Sequence, residues 1–292
     1  MFKIKNVIFI LTAGILWGII SIFVNVLSEL GFTSMQIVAV RVFFSAAILL
    51  IYLLICDKKA LKIRFKDIPF FLGTGVFSII FFNFCYFQAI RLMGGSAIPA
   101  LLLYTAPIFV MIISCILFKE KITKQKILAL LLTLIGLTLV TGALTGGGEL
   151  SLVSVLFGIG AGFGYALYSI FGKFLVGKYS AVTITAYTFI VASLFAVPFS
   201  GVAENIELLF SLKGISAALI LAFFCTVLPF LLYTKGLEGA EAGKASVLAA
   251  IEPFMAAVIG VIFWDEVMTA AKICGMIFIL AAIVILNLKK KS

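Results

Sequence analysis

The chain has no histidine, and charged residues make up only 12% of its 292 residues. Histidine is the commonest metal ligand and general base, so its absence argues against metal sites and His-based catalysis. Soluble domains carry roughly 25% charged residues, about twice the fraction in this chain, so the chain is not an ordinary soluble domain. The 5 cysteines form no CxxC pair, and we expect them to pack as small buried side chains without disulfides. The composition predicts no metal, no cofactor and no enzymatic activity.

Apolar residues are what the chain has in excess. They make up 64% of the sequence and include 30 phenylalanines, which suits a bilayer better than a soluble core. The net charge of +10 lies in short Lys and Arg clusters between apolar runs. Such clusters set the orientation of membrane spans and are not typical of nucleic-acid binding. We therefore expect a lipid bilayer around the chain and no nucleic-acid partner.

Apolar runs long enough to cross a bilayer, which takes roughly 20 residues per helix, occur ten times. They lie at about 7–28, 34–56, 68–90, 94–118, 125–144, 150–175, 180–202, 213–236, 241–264 and 269–288. The loops between them are short and leave no room for a soluble domain. The sequence therefore predicts an all-α membrane protein with ten transmembrane helices.

Two segments repeat one another at half the length of the chain. Pro107 and Glu120 stand 146 residues before Pro253 and Glu266, and the residues that follow each glutamate also agree. A repeat this long indicates two homologous halves built around one site, not a solenoid.

The glycine run at 146–148 is the predicted seam between the halves, because glycine runs mark loops. It gives two five-helix repeats, at residues 1–146 and 147–292. Each half then holds an odd number of spans, so the second half enters the membrane inverted relative to the first. An inverted repeat places a site near the midplane, between halves that rock to give alternating access.

Lys and Arg residues are distributed unequally between the two sides of the predicted membrane. If the N-terminus is cytoplasmic, the inner segments hold 18 of them and the outer segments hold 3, with Arg41 inside a span. Positive charge accumulates on the cytoplasmic side of membrane proteins. The count therefore predicts that both termini are cytoplasmic.

Several motifs carry a family resemblance. They are Leu16-Trp17-Gly18 in span one, Arg41 in span two, Pro107…Phe118-Lys119-Glu120 in span four and Glu252-Pro253…Phe263-Trp264-Asp265-Glu266 in span nine. In order and spacing they resemble the EamA-like transporters of the drug/metabolite transporter superfamily, ten-helix type. The resemblance implies an inner-membrane carrier, often an exporter, with a central cavity formed by spans 1, 3, 4, 6, 8 and 9. Its substrate would be a small metabolite such as an amino acid or a related amphipathic compound, and we expect a monomer or weak dimer.

Glu252 is the sharpest candidate for a functional side chain. It lies near the middle of span nine, directly before Pro253, and a carboxyl group at the bilayer centre costs on the order of 2.5–3.5 kcal/mol. It should therefore face the cavity or a partner. One interpretation is a carboxylate that binds a proton or a substrate amine. The other is a structural group that bonds backbone freed by Pro253 or pairs with Arg41.

Arg41 also has two interpretations. It lies about two helical turns into span two, where its guanidinium could bind a substrate carboxylate through two hydrogen bonds. It could equally extend to the membrane surface or hold two helices together. The peripheral position of span two in the family favours the structural role.

Trp17 lies at the centre of its span, away from the interfaces where tryptophan usually accumulates. Gly14, Gly18 and Ser21 share its helix face. This face is either a close helix contact or a cavity wall. Trp17 and Ser21 are predicted to bind substrate, because an indole offers a flat apolar surface and one donor.

Polar and aromatic residues in other spans complete the predicted substrate site. Asn83 and Tyr86 share one face of span three, and an asparagine at membrane depth needs hydrogen-bond partners. Tyr233 aligns with Tyr86 and is predicted to face it across the pseudo-twofold axis. Weaker candidates of the same kind are Tyr104, Tyr165, Tyr168 and Ser246. Pro107 and Pro253 are predicted to break their helices near this site, because proline removes a backbone donor.

The function that these features predict is secondary-active transport, because the sequence has no ATP-binding motif. Protons are the first hypothesis for the coupling ion, with Glu252 as their carrier. A passive facilitator or channel is the main alternative. An intramembrane lipid-modifying enzyme and a scaffold subunit are lesser alternatives, since Glu252 is the one acidic residue deep in a predicted span.

Overall fold

The computed structural model describes residues 4–143 and 150–288. Within these ranges 10 helices are long and apolar enough to cross a membrane. We label them α1 (Ile4–Glu29), α2 (Ser34–Cys56), α3 (Phe65–Met93), α4 (Ala97–Phe118), α5 (Lys124–Thr141), α6 (Leu152–Leu175), α7 (Ala181–Phe199), α8 (Leu212–Glu238), α9 (Ala242–Phe263) and α10 (Ala270–Asn287). The predicted span ends agree with these bounds to within 3 residues. The predicted fold class is confirmed.

Hydroxyl side chains begin most of the helices. At each of six helix starts a serine or threonine oxygen accepts a hydrogen bond from the backbone N–H three residues on, which satisfies a donor that the helix leaves free. These caps are Thr33, Thr123, Ser151, Ser180, Ser211 and Thr269. Neither α4 nor α9 has such a cap from its own first residues.

The helices pack in a pattern that is unchanged when the two halves are exchanged. Three pairs map onto themselves: α5 with α10, α2 with α7, and α4 with α9. The contact of α1 with α8 is matched by that of α6 with α3, and the contact of α1 with α9 by that of α6 with α4. The fold is therefore two five-helix repeats around a pseudo-twofold axis. The predicted glycine seam at 146–148 lies outside the described residues.

Backbone details of the two repeats also coincide at a separation of 146 residues. Lys119 and Asp265 both adopt left-handed backbone angles, with φ of 56° and 52°. The amide that follows each donates to the carbonyl six residues back, from Glu120 to Ser114 at 3.3 Å and from Glu266 to Gly260 at 3.1 Å. The sequence repeat thus reproduces one local structure twice.

Several spans are interrupted near the middle. The structure breaks α4 between Leu103 and Ala106 and α9 between Ala249 and Ile251. Pro107 and Pro253 each lie in the first turn after the break. Helix α1 is interrupted at Ile19. These breaks, in three of the central spans, place irregular backbone at membrane depth, which is tolerated where it lines a cavity or is buried in protein.

Helices α3 and α8 contain π-helical turns, over Gly73–Ile80 and Phe223–Val227. Their positions overlap when the repeats are superposed at the 146-residue register. Turns of this kind are frequent at functional sites, and here they widen the two helices that run beside α6 and α1.

Small residues allow the closest helix approaches. Glycines at positions 158 and 162 of α6 face α4, where a Cβ would meet Leu102 and Thr105. Gly136 in α5 and Gly275 in α10 meet backbone to backbone. The prediction that all the cysteines are buried is wrong for two of them: Cys85 and Cys225 are buried, but Cys56 and Cys274 lie on the outside of the bundle.

We call the side of the bundle that carries residues 4 and 287 the terminal face. It also holds the connections at 57–64, 119–123, 176–180 and 239–241. We call the opposite side the distal face, with the connections at 30–33, 94–96, 200–211 and 264–269.

Candidate functional site

A cavity of about 620 Å³ runs from the middle of the bundle to the distal face. This volume suits a small-molecule ligand, since such sites measure about 300–1,000 Å³. Its wall includes residues from all six spans that the family resemblance implied, α1, α3, α4, α6, α8 and α9. Helices α2 and α5 contribute as well, through Arg41 and Leu137.

Aromatic rings form the floor of the cavity. The Trp17 ring centroid lies 5.1 Å from that of Phe230, 5.4 Å from that of Tyr233 and 6.4 Å from that of Tyr165. Tilted and edge-to-face arrangements of this kind are favourable for aromatic pairs. Because α1, α6 and α8 each supply a ring, the floor joins both repeats.

Hydrogen bonds between α6 and α8 close the floor from below. The hydroxyls of Tyr168 and Thr234 lie 2.7 Å apart, and so do those of Ser169 and Tyr233. All of these side chains are buried. The Tyr168 and Tyr233 rings therefore line the cavity, while their hydroxyls bond the neighbouring helix.

Glu252 lies in the cavity wall one residue after the break in α9. Its Oε2 accepts a hydrogen bond of 3.1 Å from the Tyr165 hydroxyl, and Tyr104 lies within electrostatic range of the same carboxylate. In the described ranges the Glu252 carboxylate makes no ion pair and accepts no hydrogen bond from a backbone N–H. The predicted pairing with Arg41 is not formed at ion-pair distance, so the carboxylate remains accessible from the cavity.

Arg41 also lies in the cavity wall. Its Nε is buried and has no hydrogen-bond partner among the residues that the structure describes. Glu252 is the acidic group that acts on it electrostatically. The peripheral span thus still brings Arg41 to the cavity, because the first turns of α2 face it. One negative and one positive side chain thus face the same space.

Gly14 and Gly18 resolve the two interpretations of the Trp17 face. A Cβ on Gly14 would lie 2.9 Å from the Ala249 carbonyl oxygen, and a Cβ on Gly18 would lie 2.8 Å from that of Glu252. The glycines thus form a close contact with α9, while Trp17 and Ser21 line the cavity.

The remaining predicted residues divide into two groups. Asn83 and Tyr86 line the cavity, although the Asn83 Nδ2 donates to the Ile79 carbonyl of its own helix at 2.7 Å. Ser246 and Pro107 are buried but do not line it. Ser246 lies in the first half of α9, which packs against α1 and α4 below the cavity floor.

Sequence reasoning missed several polar residues of the cavity wall, among them four in its distal part. Asn25, Ser96, Glu266 and Lys272 all line its distal part. The sequence carried a signal for Glu266, because it repeats Glu120. Both glutamates lie at helix ends, and nothing in the sequence separates a helix end from a cavity rim.

The terminal face is closed by a charged cluster that we call the terminal latch. The Glu120 carboxylate accepts from the backbone N–H groups of Ala242 and Gly243, at 2.6 and 3.2 Å. Lys126 is 2% exposed, and its Nζ lies 3.6 Å from Glu120 and 3.0 Å from Glu241. Glu120 thereby caps the start of α9 from the neighbouring helix pair, which holds α4, α5 and α9 together.

Lys173 reinforces this closure from α6. Its Nζ donates to the Leu237 carbonyl at 3.0 Å and also to the Ala240 carbonyl. These carbonyls end α8, where cations are favoured. The cavity is therefore shut at the terminal face and open at the distal face.

Ten spans in two inverted repeats around a midplane cavity are the architecture of a membrane carrier. The model of the EamA-like transporter family matches residues 4–142 and again residues 152–288. The chain belongs to the EamA-like transporter family, and it is a multi-pass membrane transporter.

Relatives and a solved structure agree with this assignment. An uncharacterized transporter of Archaeoglobus fulgidus is 30% identical over 277 residues, which cover 94% of each chain. The uncharacterized inner membrane transporter YicL of Salmonella typhimurium is 23% identical and aligns over 98% of this chain and 96% of its own. A crystal structure 16% identical in sequence has a TM-score of 0.79 and covers 98% of this chain and 97% of that one. That structure supports the fold alone.

Proposed function

We propose that the protein is a secondary-active transporter of a small amphipathic zwitterion, such as an amino acid or a related metabolite. One observation carries this proposal: the Glu252 carboxylate and the Arg41 guanidinium line the same cavity, above an aromatic floor, and do not form an ion pair with each other. A substrate ammonium would bind Glu252, and a substrate carboxylate would bind Arg41 through charge-assisted hydrogen bonds. The rings of Trp17 and Tyr86 would contact the apolar part.

The two inverted repeats support alternating access as the mechanism, with the halves rocking about the cavity. We place the protein in the inner membrane with both termini cytoplasmic, as the Lys and Arg count supports. Export is the proposed direction, protons are the proposed coupling ion, and a monomer or weak dimer is the proposed assembly. Repeat boundaries at 1–146 and 147–292 belong to the same proposal.

The substrate class is tested by thermal unfolding of the purified protein with three related probes. Phenylalanine carries both charges, phenethylamine only the ammonium and 3-phenylpropionate only the carboxylate. We expect the zwitterion to raise the unfolding temperature more than either single-charge probe. In the Arg41→Gln variant, phenylalanine should raise the unfolding temperature no more than phenethylamine does. Arg91 lies outside the cavity wall, so Arg91→Gln should keep the larger rise with phenylalanine. Equal stabilisation by all three probes would overturn the zwitterion.

Proton coupling is tested separately in proteoliposomes. Glu252→Gln should abolish pH-driven uptake of the zwitterion while retaining exchange across the membrane at higher substrate concentration, because the amide oxygen still accepts from the substrate ammonium, more weakly than the carboxylate. Unchanged transport with unchanged pH dependence would contradict coupling through Glu252. Saturable counterflow separates a carrier from a passive channel, which would show none.

A further inference from the structure

We propose that Glu266 is the latch of the distal face. In the alternate state its carboxylate accepts hydrogen bonds from the backbone N–H groups of Ser96 and Ala97 and shuts the cavity there. The terminal latch of Glu120 opens in that state. This inference rests on the proposed alternation of access and adds the residues that would perform the closure.

The first step is the equivalence of the two glutamates. Both follow a residue with left-handed backbone angles, and both precede a threonine-capped helix whose lysine approaches them. Lys272 Nζ lies 2.6 Å from Glu266 Oε2, as Lys126 lies near Glu120. At the 146-residue register, Ala242 and Gly243 correspond to positions 96 and 97.

The second step is the contrast in their surroundings. The Glu120 side chain is 8% exposed, whereas that of Glu266 is 49% exposed. Glu266 bonds Lys272 but does not reach Ser96 or Ala97, although Glu266, Ser96 and Ala97 all line the cavity. The distal glutamate is thus held on the cavity rim.

The third step is the receiving segment. Within residues 4–143 and 150–288 no side chain caps the start of α4, and none from its own first residues caps α9, which Glu120 caps instead. Around Gly94 and Gly95 no heavy atom of the described residues lies within 4 Å of an added Cβ. Uncapped N–H groups and open space leave room for a carboxylate to approach.

The fourth step is the number of carboxylates around each lysine, which differs between the two faces and explains why the terminal face is the closed one. Lys126 meets both Glu120 and Glu241. Position 95, which corresponds to Glu241, is a glycine, so Lys272 would meet one carboxylate. The distal latch therefore has one fewer ionic contact, and the protein rests with its terminal face shut.

The test measures the width of the distal mouth by pulsed electron paramagnetic resonance. Spin labels replace Arg91 and Val267, two exposed residues on either side of the mouth, in a chain without its native cysteines. Glu120→Gln should increase the short-distance population about tenfold, since charge-assisted hydrogen bonds to the α9 start are weakened. Adding Glu266→Gln on that background should remove the increase. The matched control is Glu207→Gln, which changes an exposed carboxylate of the distal face. Added on the same background, it should leave the short-distance population increased.

Two outcomes would contradict the inference, and they differ in what else they overturn. If the short-distance population appears but Glu266→Gln leaves it unchanged, the latch is wrong and alternating access stands. If no variant or probe produces a second distance, alternating access and the latch both fail. Lys173→Gln, which loses the Leu237 and Ala240 carbonyl contacts, is a second way to open the terminal face should Glu120→Gln not fold.

Discussion

The two ends of the cavity are built from equivalent residues and differ in how those residues are packed. At the terminal face Lys126 is 2% exposed between two carboxylates, and at the distal face Lys272 is 19% exposed beside one. The local backbone is the same in both repeats. The difference therefore comes from the segment that each glutamate meets across the bundle, not from the local fold.

A larger side chain at the contact between the two repeats should cause the largest loss of stability. Gly18 packs against α9 with its position blocked by the Met255 side chain and the Glu252 carbonyl. Gly18→Leu should destabilise the protein by about 3 kcal/mol, because overpacked backbone contacts cannot relax locally. Thermal unfolding in detergent measures the loss, and stabilisation by phenylalanine should vanish with it. Gly95→Ala, in open space, is the control, and equal stability of the two variants would refute the close contact.

Removing the lysine of each latch should have an effect of similar size at the terminal face and a much smaller one at the distal face. Lys126→Met leaves Glu120 buried without its cation, which costs about 3 kcal/mol for a buried pair. Lys272→Met disturbs a more exposed pair, for which about 0–1 kcal/mol is expected. Unfolding titrations of both variants give the two values. Equal losses would mean that the latches are equally formed in solution.

The serines Ser169 and Ser21 should differ less in how much their loss lowers the free energy of unfolding. Ser169→Ala removes the 2.7 Å bond to Tyr233 and leaves a buried hydroxyl without its partner, at a cost of about 1–2 kcal/mol. Ser21 aligns with Ser169 at a separation of 148 residues, and it lines the cavity with no hydroxyl partner among the described residues. Ser21→Ala should therefore leave the free energy of unfolding nearly unchanged. A loss of stability for Ser21→Ala as large as that for Ser169→Ala would contradict a cavity that is open at the distal face.

An exposed ion pair on the distal face should show the smallest effect. Lys213 and Glu29 lie 3.2 Å apart with side chains 57% and 62% exposed. Lys213→Ala should change stability by less than about 1 kcal/mol, because solvent screens such pairs. A clear loss of stability in this variant would mean that the pair holds α1 and α8 together in a way its exposure does not suggest.

The spans and the repeat could be predicted from the sequence because both depend on local properties. The length of an apolar run and the spacing of Pro107, Glu120, Pro253 and Glu266 do not require knowledge of which helices touch. The same holds for the breaks in α4 and α9, since proline removes a backbone donor and disfavours the helical turn before it. It does not hold for α1, whose break at Ile19 has no proline, or for α7, which continues through Pro198.

The parts of the site that depend on the packing of distant helices could not be predicted this way. Arg41 looked peripheral because its span is peripheral, yet the first turns of α2 face the cavity. Ser246 lies below the cavity floor because the first half of α9 belongs to the closed end. Which end is closed depends on a small difference between two similar sets of contacts, and such a difference has no local signature.

The unequal latches also bear on the energetics of a transport cycle. A carrier that rests with one end shut presents its empty site to one side of the membrane for most of the time. Solute on the other side must wait for the rarer state, so its apparent affinity falls by the fraction of molecules in that state. The imbalance cannot by itself drive net flow, because every step remains reversible. Exchanging Gly95 for a glutamate would change the concentrations at which each side saturates while leaving the binding cavity intact.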